Sequence, residues 1–144
     1  MVTAARVAET LGGYKVLRQR QLSAQTLRSH VRTGLPYASL EALTARYGLT
    51  IEDARRLLRL PPRTLARRKK AGRLNAEESD RLFRIGRIAA HAENVLGECA
   101  KASRWLHKPN RALGGVTPLS LLDTDLGAQE VEKILGRIDY GVYS

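Results

Sequence analysis

The segment that most restricts what this chain can become is Thr50–Arg73, TIEDARRLLRLPPRTLARRKKAGR. Between Arg55 and Arg73 it holds nine Lys/Arg and no Asp or Glu. Ile51, Ala54, Leu57 and Leu58, then Leu65 and Ala66, keep a helical beat through it. The segment therefore reads as two short helices around a tight turn, the second densely cationic. That is the pattern of a helix-turn-helix, in which one helix buttresses another lying in a DNA major groove. A solvated basic surface helix is the competing reading.

A chain of 144 residues suffices for one domain or two very small ones. Its hydrophobic content of 43% can fill a core, and few runs alternate with period two, so the expected class is all-α. The formal charge is +11, and it is unevenly spread. Residues 1–97 hold nineteen Lys/Arg against eight Asp/Glu, whereas residues 98–144 hold six of each. The excess positive charge of the first part calls for a polyanion, nucleic acid above all. The neutral last third has a different task.

Enzyme chemistry finds little support. His30, His91 and His107 are far apart and lack metal-ligand spacing, and Cys99 is a lone thiol among apolar neighbours. Neither Gly12-Gly13 nor Gly114-Gly115 sits where a phosphate-binding loop would. No cofactor and no catalysis are expected. There is no apolar run of membrane-spanning length and no signal segment, so a cytoplasmic protein with no membrane partner is expected.

Taken in order, Thr3–Leu11 reads as a short helix ended by Gly12-Gly13. Tyr14–Gly34 carries Leu17, Leu22, Leu27 and Val31, with Ser23 as N-cap and Gly34 past the end. It fits an arm, a dimerisation element or the first layer of a core. Ser39–Tyr47 is a helix stopped by Gly48. Thr50 with Asp53, and Asn75 with Glu78, are spaced as capping boxes. Pro61-Pro62 opens the cationic helix. Asn75 starts a long helix with Leu82, Ile85, Ile88, Ala89 and Ala92 on its apolar face, reaching about Leu96, and Gly97 marks a joint. The last third contains a helix at Glu98–His107, the loop Lys108–Gly115, a short turn at Thr117–Leu122 and a final helix from Thr124 or Gly127. Trp105 reads as core rather than as an interface anchor. The expected organisation is an N-terminal helical segment (1–35), a helix-turn-helix region (36–97) and a small helical domain (98–144).

The run RWLHKPNRALGGVTPLSLLDTDLGAQEVEKILGRIDYGVYS, with Trp105, Pro109, Asn110, Gly114, Pro118, Leu122, Thr124, Gly127, Leu135 and Gly141 among the residues that carry the likeness, resembles the toxin-binding domain of the Xre/MbcA/ParS antitoxins. Upstream, RTLARRKKAGRLNAEESDRL looks like the Xre-type DNA-binding half of the same family. The match covers about residues 36–144. The resemblance implies an antitoxin of a RES-Xre toxin-antitoxin system. Its RES-domain toxin resembles ADP-ribosyltransferases and consumes NAD, and the antitoxin obstructs the toxin's NAD cleft. It also implies binding to operator DNA, repression of the shared promoter, a homodimer and a higher toxin-antitoxin complex.

The candidate DNA-binding residues are Arg56, Arg59, Arg63, Thr64, Arg67, Arg68, Lys69, Lys70 and Arg73. Arg63 and Thr64 stand at the N-terminal end of the cationic helix, suited to base edges, and Arg67, Arg68, Lys69 and Lys70 are suited to phosphates. The turn position that commonly carries Gly at positive φ falls on Arg59, where a bulky residue costs about 1 kcal/mol or more. Either the turn takes another geometry or DNA affinity is lower than the charge suggests. The candidate toxin-binding residues are Tyr140, Gly141, Val142, Tyr143 and Ser144, an apolar tail ending in a carboxylate, supported by Arg137 and Asp139. A tail folded back on its own domain is the bland alternative. Two other functions compete: a plain dimeric repressor whose last third only dimerises, and a basic RNA-binding protein, which the scarcity of aromatics in the basic part disfavours.

Overall fold

In the computed structural model, which describes residues 2–20 and 23–141, Leu22 lies outside the described residues. Five helices begin on a side-chain oxygen that accepts the backbone N–H three residues on: those of Thr3, Ser23, Thr50, Asn75 and Thr124. Each satisfies one of the donors that a first helical turn leaves without an intrahelical partner. The helices so started are α1 (Ala4–Thr10), α3 (Ala24–Thr33), α5 (Ile51–Leu58), α7 (Ala76–Leu96) and α9 (Asp125–Asp139). Between them lie α2 (Gly13–Leu17), α4 (Tyr37–Tyr47), α6 (Pro62–Ala71) and α8 (Cys99–His107), with 3-10 turns at Arg111–Leu113 and Leu119–Leu121. The fold is all-α, and the described residues contain no strand, only an isolated bridge between Pro36 and Arg73. Both expected capping boxes are complete. Thr50 and Asp53 exchange bonds of 3.0 and 3.0 Å, and Asn75 and Glu78 exchange bonds of 2.9 and 2.8 Å.

Helix α7 is the axis of the molecule. It packs against α1, α3, α4, α5, α8 and α9, which is why its buried residues (Leu82, Ile85, Ile88, Ala89, Ala90, Ala92) spread over more than half of its circumference. A polar strip of Glu77, Asp80, Arg84, Arg87 and Asn94 is left toward solvent. Small residues let neighbours close in. A Cβ at Gly86 would stand 3.2 Å from the Leu11 side chain. One apolar core results, with Val7, Leu27, Leu43 and Leu57 of the first part continuous with Leu106, Val131 and Leu135 of the last. The N-terminal segment is the first layer of that core: α1 and α3 lie on α7, and Leu11, Leu17 and Leu27 are buried. Trp105 is half-buried and packs against the same core. Helix α4 starts two residues earlier than the spacing indicates, because Pro36 takes the N-cap position and Tyr37 is buried.

Two expected inward residues point outward. Ile51 is 59% exposed, and Ala66 is exposed as well. Ile51 occupies the first position of α5, beyond the reach of the core, and α6 buries Leu65 alone. Periodicity reports a face; it does not report how deeply that face is covered.

A polar knot ties α7 to α4. Arg46 donates from Nε and Nη2 to the Glu93 carboxylate at 2.9 and 2.7 Å, and the Tyr47 hydroxyl donates to it at 2.8 Å. Tyr47 is fully buried and Glu93 nearly so. The Arg46 bond holds the Glu93 carboxyl below its ordinary 4.5. Burial, with the carboxylate beside it, pushes the Tyr47 phenol above its ordinary 10.0. Because the folded value of Glu93 is the lower one, its stabilisation is complete above the unfolded carboxyl's pKa. It is lost as pH falls through the depressed folded value. Glu93→Gln is expected to destabilise the protein by about 2 kcal/mol at neutral pH, the order of a lost charge-assisted hydrogen bond. The gap from wild type in urea denaturation should narrow as the pH falls below the ordinary carboxylate range.

The turn between α5 and α6 has the geometry that glycine would favour. Arg59 sits at φ 56°, ψ 45°. The Leu60 N–H bonds the Arg55 carbonyl at 3.0 Å and the Arg59 N–H bonds that of Arg56 at 3.2 Å, the two-bond Schellman closure. Leu60 is buried, and Arg55 Nη1 donates to its carbonyl at 3.1 Å. These contacts hold a bulky residue in the left-handed region. Arg59→Gly should remove about 1–2 kcal/mol of strain and add back about 0.5–1 kcal/mol of chain entropy. A small net gain in melting temperature is the expected result.

Candidate functional site

Helix α6 projects a charged surface because almost none of it is buried. Arg63, Arg67 and Lys70, spaced i, i+4 and i+7, share one side of the helix. They are exposed, as is Lys69, while Leu65 alone enters the core. Pro61 takes the N-cap position, and Gly72 ends the helix at φ 79°. Thr64 is half-buried, and Arg67 Nη2 reaches its Oγ1 at 3.4 Å. Arg59 is exposed on the preceding turn. Helix α5 packs on α4 and α7 and leads into α6 across the Arg59 turn.

Three of the nine candidate residues are engaged by the protein itself. Arg68 donates from Nε and Nη2 to Glu78 at 2.7 and 3.1 Å. Arg73 Nη1 donates to the Gly34 carbonyl at 2.6 Å. Arg56 Nη1 lies 3.5 Å from the Ser120 carbonyl oxygen, joining the buttress helix to the last third. Arg63, Arg67 and Lys70 thus gather on one side of α6, Lys69 is exposed on the side of Leu65, and Arg68 and Arg73 are bonded to the rest of the protein. Spacing could not separate these groups, since all are cations of one run.

After Gly72 the chain pairs with the segment before α4. The Tyr37 N–H bonds the Gly72 carbonyl and the Leu74 N–H bonds the Leu35 carbonyl, each at 2.9 Å, and Ser79 Oγ accepts the Leu35 N–H at 2.7 Å. Gly34, at φ 104°, is required here, because a Cβ would stand 2.2 Å from the Leu74 carbonyl oxygen.

In the last third, α9 lies against α7 and both 3-10 turns. Gly127 permits this, since a Cβ there would stand 2.1 Å from the Leu121 carbonyl oxygen. Asn110 organises the preceding loop: its Oδ1 accepts the Ala112 N–H and its N–H bonds the Val116 carbonyl, each at 2.9 Å. Ala112 and Leu113 of this loop, with Glu130, Lys133, Ile134 and Arg137 of α9, line a shallow hollow of ≈ 180 Å³. Of the candidate toxin-binding residues, Arg137, Asp139 and Gly141 are exposed and Tyr140 is 85% exposed, past the end of the helix. Val142, Tyr143 and Ser144 lie outside the described residues. Spacing did not single out Leu126, 69% exposed in the first turn of α9, or Val116 on the loop, also exposed.

Among the described residues no cluster of three His, Cys, Asp or Glu side chains could hold a metal, and no helix is long and apolar enough to cross a membrane.

Comparison with known proteins matches both parts. Residues 26–87 match the Antitoxin Xre-like helix-turn-helix domain, and residues 91–141 match the Antitoxin Xre/MbcA/ParS C-terminal toxin-binding domain. An Antitoxin Xre of Pseudomonas putida is 39% identical over 116 residues, covering 80% of this chain and 72% of that protein. An Antitoxin Xre of Photorhabdus laumondii is 34% identical over 124 residues, covering 85% and 84%. A protein of Sphingobium named Prs ADP-ribosylating antitoxin is 31% identical over 80 residues, covering 49% and 50%. The exposed cationic helix is that of the matched helix-turn-helix, and α9 with its loop belongs to the matched toxin-binding domain. The chain belongs to the Xre/MbcA/ParS antitoxin family, an antitoxin with a helix-turn-helix DNA-binding region followed by a toxin-binding domain.

Proposed function

We propose that the chain neutralises a RES-type toxin encoded beside it, an NAD-consuming enzyme whose cleft it obstructs, and that as a cytoplasmic homodimer it represses the promoter the two genes share. The observation that carries the reading is the succession of an exposed cationic helix and a toxin-binding domain on one continuous core. The class of toxin rests on the family resemblance; the two broadly covered relatives named Antitoxin Xre support the antitoxin role. In this reading residues 36–97 meet DNA, residues 98–144 meet the toxin, and residues 1–35 are a packed layer beneath both.

The toxin contact is assigned to Tyr140–Ser144, with Arg137 and Asp139 beside them. An aromatic as exposed as Tyr140 has an apolar ring to bury and a hydroxyl to place, the property that enriches tyrosine at interfaces. Leu126 stands at the other end of α9, roughly 20 Å away by helical rise, so a partner touching both must lie along the helix. Co-expression with the neighbouring gene product tests this. The neighbour alone should stop growth and drain NAD, and the full chain should restore both. A chain truncated after Asp139 should lose rescue while staying folded by circular dichroism. Undiminished rescue by that truncation removes the tail from the mechanism. A harmless neighbour leaves a plain repressor with a dimerising last third.

The DNA contact is assigned to Arg63 and Thr64 for bases, and to Arg56, Arg59, Arg67, Lys69 and Lys70 for phosphates. Affinity for the duplex immediately upstream of the gene should fall steeply with salt. Arg67→Ala and Lys70→Ala should each reduce the slope of log affinity against log salt by about 1. A slope that neither substitution changes would place the phosphates elsewhere.

A further inference from the structure

We propose that Glu78 is a positioning residue for DNA recognition, holding α6 at its working angle through Arg68; the inference rests on the DNA-binding reading above. Helix α6 has unusually little to fix its orientation. One of its side chains, Leu65, is buried. Its two ends are tied by backbone, at the Leu60 turn and at the Gly72–Tyr37 bond, and both ties would still permit the helix to roll about its own axis. Beyond the burial of Leu65 and the Arg73 bond past the helix end, the side-chain restraint that α6 itself supplies against rolling is the two-pronged bond from Arg68 to Glu78. Arg68 lies three residues after Leu65, on the flank of the buried edge. A planar guanidinium gripping a carboxylate with two parallel bonds fixes direction as well as distance.

Glu78 is built to be the fixed end of this pair. It is 3% exposed, and its Oε1 also accepts the Asn75 N–H at 2.9 Å, while its own N–H donates to Asn75 Oδ1 at 2.8 Å. The carboxylate is thus anchored in the first turn of α7, the axis of the core. Burial opposes its ionisation, but Arg68 and the Asn75 N–H outweigh that effect and keep it below the ordinary carboxylate range. A one-degree-of-freedom element, the roll of α6, is locked to the rigid core by one carboxylate. The direction in which Arg63, Arg67 and Lys70 face is set by that lock.

The contrary reading, in which Arg68 is itself a phosphate contact, makes the opposite prediction. Removing the Glu78 charge would then free a cation and delete a nearby anion, so DNA binding would tighten. Glu78→Gln is the variant that separates the two, because Gln at this position can still close the capping box while losing the charge that holds Arg68. Binding is measured on the duplex immediately upstream of the gene and on an unrelated duplex of equal length, each across a salt series. The full-length chain is used, and toxin inhibition is read on the same sample.

If Glu78 positions the helix, Glu78→Gln loses about tenfold in affinity for the upstream duplex, the salt slope stays as in wild type, and toxin inhibition is unchanged. A purely structural role would lower toxin inhibition and DNA binding together. If Glu78→Gln does not fold, Arg68→Lys serves instead. It keeps the charge but cannot make the two-pronged bond, and it should lose upstream affinity at constant slope. Tighter binding by Glu78→Gln, unchanged upstream affinity in the variant used, or a loss of toxin inhibition alongside DNA binding overturns the proposal. A wild-type chain that binds neither duplex overturns the DNA-binding reading itself, and the positioning proposal with it.

Discussion

Everything in this molecule depends on α7 being covered over most of its circumference. A 21-residue helix that meets six others keeps only a narrow polar strip toward solvent, Glu77, Asp80, Arg84, Arg87 and Asn94, and its sequence responds with alanine and glycine where neighbours approach closely. Of its four buried polar side chains, three have hydrogen-bond partners, and His91 Nε2 has none among the described residues. Glu78 and Asn75 close the N-terminus and receive Arg68, Ser79 accepts the Leu35 N–H, and Glu93 receives Arg46 and Tyr47. An unpaired carboxylate in such a position would cost several kcal/mol. The cationic residues that end up pairing with these carboxylates are therefore placed by the needs of α7 and not by their own helices.

Against that rigid axis, α6 is nearly free-standing. A helix meant to enter a DNA groove has to be accessible over most of its circumference, and accessibility removes the packing that would otherwise orient it. The structure resolves the conflict with one leucine, one turn in the left-handed region and an ion pair to the axis. Internal use of Arg68 and Arg73 shows that net charge overstates the number of cations available to a partner. Of the nine in the run, Arg63, Arg67 and Lys70 share one exposed side of α6.

Much of this architecture was legible in the sequence because its signals are local. Caps act over three residues, so Thr50 with Asp53 and Asn75 with Glu78 could be read directly, as could the left-handed position at Arg59. The partners of Glu78 and Glu93 could not. Arg68 lies 10 residues from Glu78 and Arg46 lies 47 from Glu93, and in a chain with so many arginines nothing local chooses among them. The outward positions of Ile51 and Ala66 were also hidden, because a helical beat does not reveal whether a facing surface exists. For the last third, periodicity yielded only helices, and the toxin-binding character came from family resemblance. The periodic pattern ends near Ile138, so it placed Tyr140 beyond the helix without indicating what the ring would meet.

The continuity of the core has a consequence for how long the protein's two activities last. Side chains of both parts interlock around α7, and a chain of this size with one core loses its structure as a unit. Proteases act on the opened chain, and the rate at which they consume it follows the population of that state. A molecule removed in this way loses its DNA-binding and its toxin-binding surface in one event. The two surfaces share a single lifetime, so no interval separates the loss of one from the loss of the other.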